Sequence, residues 1–219
     1  MPAVRHPLAA PAAVAALVAA AMFAPAPFAD AFPQPPESRK EPAAEAPTPP
    51  GPDTATALPD SAAVAAAAAA KVAKDRGRAE ALYAKGYDET RDATRLASSG
   101  KAKDARKKYS KALDRFEEAV RLDANYFEAW NMVGYCARQT GDLKRSFDAY
   151  DRCLALNPDY EAAHEYRGEA YLMGGEIDKA KEELEWLRAR QSAEAKTLEA
   201  AIQSAEQGKS GSSGSGGSW

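Results

Sequence analysis

Histidine and cysteine are nearly missing from this sequence: 219 residues contain two of each, His6, His164, Cys136 and Cys153. That scarcity leaves no His/Cys metal cluster and no Ser-His-Asp set to assemble, and no glycine-rich phosphate loop is present either. Proline is nearly missing too, but only from one part of the chain. Of 15 prolines, 14 lie at or before Pro59, and the one beyond is Pro158. A chain that excludes proline over such a length is mostly helix, and the single exception marks a boundary. β-Branched runs of the kind that build strands are scarce while alanine is abundant, which excludes a sheet-based fold and leaves an all-α one. The net charge of −3 supplies no strong attraction to nucleic acid or anionic lipid.

The N-terminal region has a different composition. Arg5 and His6 precede an apolar, alanine-rich stretch from Leu8 to Phe28, followed by the small-x-small site Ala29-Asp30-Ala31. This is the pattern of an export signal over residues 1–31, and it is too short and too interrupted by Pro11, Pro25 and Pro27 for a good membrane span. No cysteine near its end offers a lipid-attachment site. A disordered alanine/proline tail and an uncleaved anchor are the alternatives. Residues 32–60 hold nine prolines among Ala, Glu, Thr and Asp, and are expected to form an extended, disordered linker. Residues 208–219, GKSGSSGSGGSW, are expected to form a flexible Gly/Ser tail ending in a lone aromatic, Trp219.

Between these segments the spacing of large and small side chains is regular. From Phe127 to Tyr160 the order is Trp130, Val133, Gly134, Ala137, Gly141, Ser146, Tyr150, Cys153 and Pro158. Small residues at Gly134, Ser146 and Cys153 let two helices cross closely, and Trp130, Val133 and Tyr150 fill the wedge beside the crossing. Gly141 supplies a left-handed turn, Asp142 caps the second helix, and Pro158 separates this pair from the next. A lone helical hairpin cannot bury its apolar face, so such units stack. The pattern W-x2-L-G, A-x3-F, P resembles the tetratricopeptide repeat, with Ala137 and Cys153 standing where that family has tyrosine and alanine.

A second unit follows over 161–190. Ala163, Gly168, Gly175, Ala180 and Leu184 take the places of Ala129, Gly134, Gly141, Ser146 and Tyr150, while His164 replaces the tryptophan and Arg167 the leucine. Upstream, Gly100, Ala105, Tyr109 and Ala112 match the turn and second helix of an earlier unit, but seven more residues carry the apolar stripe on to Asp123. An elongated hairpin over 77–126 is therefore expected, with a bend at Gly86 and with Gly77 separating it from an alanine-rich helix over 61–76. Ser192 is placed to cap a last helix within 191–207, which closes the stack. The fold class expected is a short all-α solenoid.

No residue pattern points to catalysis. His164 falls at a packing position, and acid pairs such as Glu117/Glu118 and Glu182/Glu183 sit among Lys and Arg on helical surfaces. Cys136 and Cys153 lie about 9 Å apart along the hairpin axis, too far for a bridge, so two buried free thiols are expected. No cofactor, metal or nucleic acid is implied. The family resemblance implies recognition of a protein or peptide on the concave face, at groove positions that fall on Asn131, Tyr135, Arg138, Glu165, Glu169, Leu172 and Met173. Glu161, Glu165 and Glu169 share one helix face, and charge is divided along the chain. Residues 71–111 carry 13 basic and 6 acidic side chains, residues 112–206 carry 12 and 20. A basic hairpin and an acidic groove, facing different partners, is one reading of this division; a soluble helical surface is the other. Self-association through the alanine-rich helix is a further expectation, as is membership of an envelope enzyme complex as an accessory subunit.

Overall fold

The computed structural model of the protein describes residues 59–213, with side chains over 63–208. The expected export signal, most of the linker and Trp219 lie outside the described residues. The described part is all-α: α1 (Pro59–Ser98), α2 (Ala102–Leu122), α3 (Phe127–Thr140), α4 (Leu143–Leu156), α5 (Glu161–Met173), α6 (Ile177–Ala189) and α7 (Glu194–Ser213). Successive helices pack as antiparallel pairs, α1 with α2, α3 with α4 and α5 with α6, and α7 closes the stack against α5 and α6. The result is a short helical solenoid.

Three turns use the same device. Gly100, Gly141 and Gly175 have φ of 78°, 88° and 79°, the left-handed region that side chains other than glycine rarely adopt. After Gly141, Asp142 Oδ1 accepts from the Arg145 backbone N–H at 3.1 Å and caps α4. Glu176, at the equivalent place before α6, makes no such cap. Ser192 does act at the last helix, its hydroxyl accepting from the Glu194 N–H at 3.2 Å.

Glycine also sets the approach of the helices. A Cβ built on Gly134 would lie 2.5 Å from the Tyr150 ring, and Ser146 Oγ donates to the Gly134 carbonyl at 2.9 Å. The first hairpin repeats this at Gly86, where a Cβ would lie 2.9 Å from the Phe116 ring. Gly86 is therefore a crossing residue inside a continuous helix. In the third unit a Cβ built on Gly168 would lie 2.6 Å from Leu198 of α7, so there the capping helix uses the notch.

Two boundaries differ from the sequence expectation. Residues 61–76 and 79–98 form one helix of 40 residues, because Gly77 sits in an exposed, uncrowded helix interior where its cost is only about 1 kcal/mol. The last helix continues to Ser213, beyond the 207 expected for it. The first hairpin is elongated as expected, with α2 at 21 residues against 14 for α3 and α4. Its core is aromatic: Tyr83 meets Phe116 edge-on at 5.5 Å and Tyr126 at 5.1 Å. The N-terminal part of α1, residues 63–74, is exposed throughout and projects beyond α2.

Gly134→Ala is expected to lower stability by ~1–3 kcal/mol, since Tyr150 has no room to retreat, whereas Gly77→Ala should raise it by ~0.5–1 kcal/mol. Thermal denaturation followed by circular dichroism distinguishes the two; equal shifts would contradict the close crossing.

Candidate functional site on the inner face

The first helices of the units, α3 and α5, bring the seven expected groove residues onto one face, but most of them are not accessible. Asn131, Tyr135, Arg138 and Glu165 are 0%, 2%, 5% and 4% exposed. Glu169 and Leu172 are half-buried, and Met173 is 40% exposed. An open groove at the first four residues is thereby corrected to a closed polar interior. The physical reason is curvature: α3 and α5 pack on each other while α7 packs on α5, so the inner face is narrow where it carries residues of ordinary size.

The charges there are arranged against one another. Arg138 pairs with Glu169 at 2.5 Å and lies near the Tyr135 and Tyr166 rings, 5.4 and 5.9 Å from their centroids. Burial opposes the Arg138 charge, but Glu169 and the tyrosines raise its pKa overall. Glu165 is in the opposite position. Burial, then the neighbouring Glu169, push its carboxyl well above the ordinary value of 4.5, and Arg138 only partly offsets this. Glu161 at the end of the same line accepts from the Ser192 hydroxyl at 2.8 Å. The acidic line is thus largely engaged within the fold. Among the described residues, both polar atoms of the Asn131 side chain, Glu165 Oε1 and the Tyr83 and Tyr160 hydroxyls are shielded from solvent with no hydrogen-bond partner. Groups of this kind cost about 1–3 kcal/mol each when unsatisfied, and in folded proteins they hold ordered water.

His164 is a packing residue, as its position indicated, but it is also the centre of a polar cluster that sequence reasoning missed. Its Nδ1 lies 2.8 Å from Glu183 Oε2 and its Nε2 3.0 Å from the Pro158 carbonyl. Its ring stacks on Trp186 at 3.4 Å, and Arg190 covers the other face of that indole at 3.7 Å. Arg167 donates to Glu183 at 2.7 Å and to Asp151 at 2.7 Å. The two departures of this unit from the repeat pattern, His164 and Arg167, therefore compensate each other through one carboxylate. Their spacing offered the only clue: both replace apolar residues, and Glu183 falls on the facing helix.

Cys136 and Cys153 are free and buried in separate clusters. Cys136 faces Thr90 at 3.6 Å, and burial pushes both thiols up to about 12. No group of three or more His, Cys, Asp or Glu side chains capable of holding a metal occurs among the described residues. No described helix is long and apolar enough to cross a membrane.

Residues 127–160 match the tetratricopeptide repeat family model. Over those residues the chain is similar to a tetratricopeptide repeat. The match covers α3, α4 and the turn that ends at Tyr160, the same stretch in which Gly134 admits Tyr150 and Gly141 turns the chain. The tetratricopeptide repeat-containing protein trd-1 of Caenorhabditis elegans is 31% identical over 74 residues, which is 34% of this chain and 10% of that protein. The chain therefore matches about a tenth of that relative's length.

Two measurements follow from the buried groups. Glu165 keeps its proton to a higher pH in the folded state than in the unfolded one. Its contribution to stability is full below the unfolded value and declines as pH rises toward the folded value. Glu165→Gln should remove that decline, so that the variant gains stability relative to the wild type as pH rises above the ordinary glutamate range in denaturant titrations. A variant with the wild-type pH dependence would show that Glu165 is ionised when folded. The thiols should be inert to a thiol reagent such as dithionitrobenzoate until the protein is unfolded, and both should then react; rapid labelling of native protein would contradict their burial.

Proposed function

We propose that the chain is a non-enzymatic scaffold that holds a partner protein or peptide against the inner face of its solenoid, and that it works after export, in a bacterial periplasm or cell envelope. Tetratricopeptide repeats generally mediate protein–protein interaction, and the matched repeat here is stacked between helices on both sides. The observation that carries the reading is the exposure of Met173 beside half-buried Leu172 at the end of α5, on the face where Asn131 and Glu165 are closed off. An exposed methionine can adapt to a partner's shape, and an apolar pair next to the Arg138–Glu169 ion pair offers anchor and polar edge together. Export is supported by the basic start, apolar stretch and small-x-small site of residues 1–31. Glu165→Lys is a poor test of this surface, because it places a second charge in the interior.

A second reading is favoured by one feature. Residues 63–74 of α1 are exposed along their whole length, with Val64 at 68% and Val72 at 69%. Two copies could bury these alanine-rich faces against each other, making the solenoid an arm on a self-associating helix.

A photo-crosslinker placed at position 173 should trap a discrete partner in the native cell, whereas one at exposed Glu118 should not. The same adducts from both positions, or none from 173, would sink the inner-face reading. Light scattering with and without residues 61–76 tests the second: a mass that rises with concentration only in the longer protein is its expected outcome.

A further inference from the structure

Between α2 and α4, above α3, lies an open groove of about 450 Å³. Trp130 gives it a half-buried aromatic floor, and Val120, Val133 and Ala149 form its apolar walls. Arg121 and Arg152 stand exposed on its rim, and neither has an ion-pair partner among the described residues. The third rim arginine, Arg145, is held by Glu117 at 3.3 Å across the groove.

The next unit shows what such a groove looks like when it is filled. Thirty-four residues on, Trp130, Val133, Ala149 and Arg152 become His164, Arg167, Glu183 and Trp186. Those four side chains close on one another: His164 and Arg167 both bind Glu183, and Trp186 stacks on His164. The later groove is thus filled by its own aromatic ring and carboxylate. The earlier one has an aromatic floor and two unpaired guanidinium groups, and lacks the ring and the carboxylate that would cover them. Its complement is a segment that stacks on an indole and brings two carboxylates to the rim.

The chain contains such a segment outside the described residues. Residues 41–50 read EPAAEAPTPP, with Glu41 and Glu45 among prolines. Proline-rich stretches favour the polyproline II conformation and dock on aromatic-lined grooves at low entropic cost. Reach permits docking in the same molecule. Arg76 of α1 lies 3.8 Å from Asp123, two residues past Arg121 at the groove. The start of α1 at Pro59 is about 25 Å from Arg76 along the helix, while the residues between Glu45 and Pro59 span ~43 Å at 3.1 Å each.

We propose that residues 41–50 fold back along the exposed start of α1 and occupy the α2–α4 groove of the same chain, prolines on Trp130 and Glu41 and Glu45 toward Arg121 and Arg152. This surface is distinct from the inner face and places an internal ligand on the opposite side of the matched repeat.

The test is paramagnetic relaxation in the full chain. A nitroxide is attached at Ala44→Cys, which leaves Glu41 and Glu45 in place, and the two native thiols, being buried, do not take the label. The amide signals of Val133, Ala149 and Arg152 should be lost, and those of Lys179 and Glu199 should persist. Arg121→Glu with Arg152→Glu, both at exposed positions, should restore the lost signals while leaving amide shifts away from the groove unchanged. In a mixture of spin-labelled unenriched protein and unlabelled enriched protein, the groove signals should remain. Persistence of the groove signals in the labelled chain would overturn the proposal. Loss that survives the double charge reversal would overturn the role of the rim arginines. Loss in the mixture would assign the segment to a second copy and overturn docking within one chain.

Discussion

The closeness of helix crossings governs this structure. At Gly134 and Gly86 the backbone of one helix lies against an aromatic ring of its partner, with less space than a single methyl group requires. Each hairpin thereby acquires a fixed angle, and the angles accumulate. Where α3, α5 and α7 succeed one another, the accumulated curvature narrows the inner face until Asn131 and Glu165 are out of reach of solvent. Burial, followed by the neighbouring Glu169, raises the pKa of the Glu165 carboxyl.

The two faces of the solenoid handle polarity differently. Inside, Arg138 pairs with Glu169, and Glu161 accepts a hydrogen bond from the Ser192 hydroxyl. Outside, the third unit ties α5 to α4 and α6 with a network of His164, Arg167, Asp151 and Glu183, covered by Trp186 and Arg190. The second unit keeps the apolar residues of the repeat pattern at these places and leaves a groove. One backbone geometry therefore presents a filled surface in one unit and an open one in the next. The difference lies in four side chains at equivalent positions.

The alanine-rich start of α1 follows another rule. Residues 63–74 are exposed throughout, and the helix there rests on intrinsic propensity and on pairs such as Lys71–Asp75 at 2.8 Å. Continuity with the packed part of α1 supplies the nucleus that an isolated segment of this length would lack. Gly77 does not interrupt it, because a helix already propagating tolerates one glycine.

How much of this was legible in the sequence depends on the range of the cause. The turns at Gly141 and Gly175, the cap at Asp142, the close approach of Gly134 to Ser146 and the register of the helices are local, and spacing alone determined them. The candidate inner-face residues follow from the same spacing. Their burial was not legible, since it arises from how far three helices curve toward one another, a sum of angles that no single spacing records. The joining of His164, Arg167 and Glu183 was hidden as well. They lie 16 and 19 residues apart, each departs from a repeat pattern or sits on a charged face, and only folding reveals that one carboxylate serves both bases. The sequence by itself determined the units and their order; tertiary structure decided which surfaces stay open, because exposure is a property of neighbours in space.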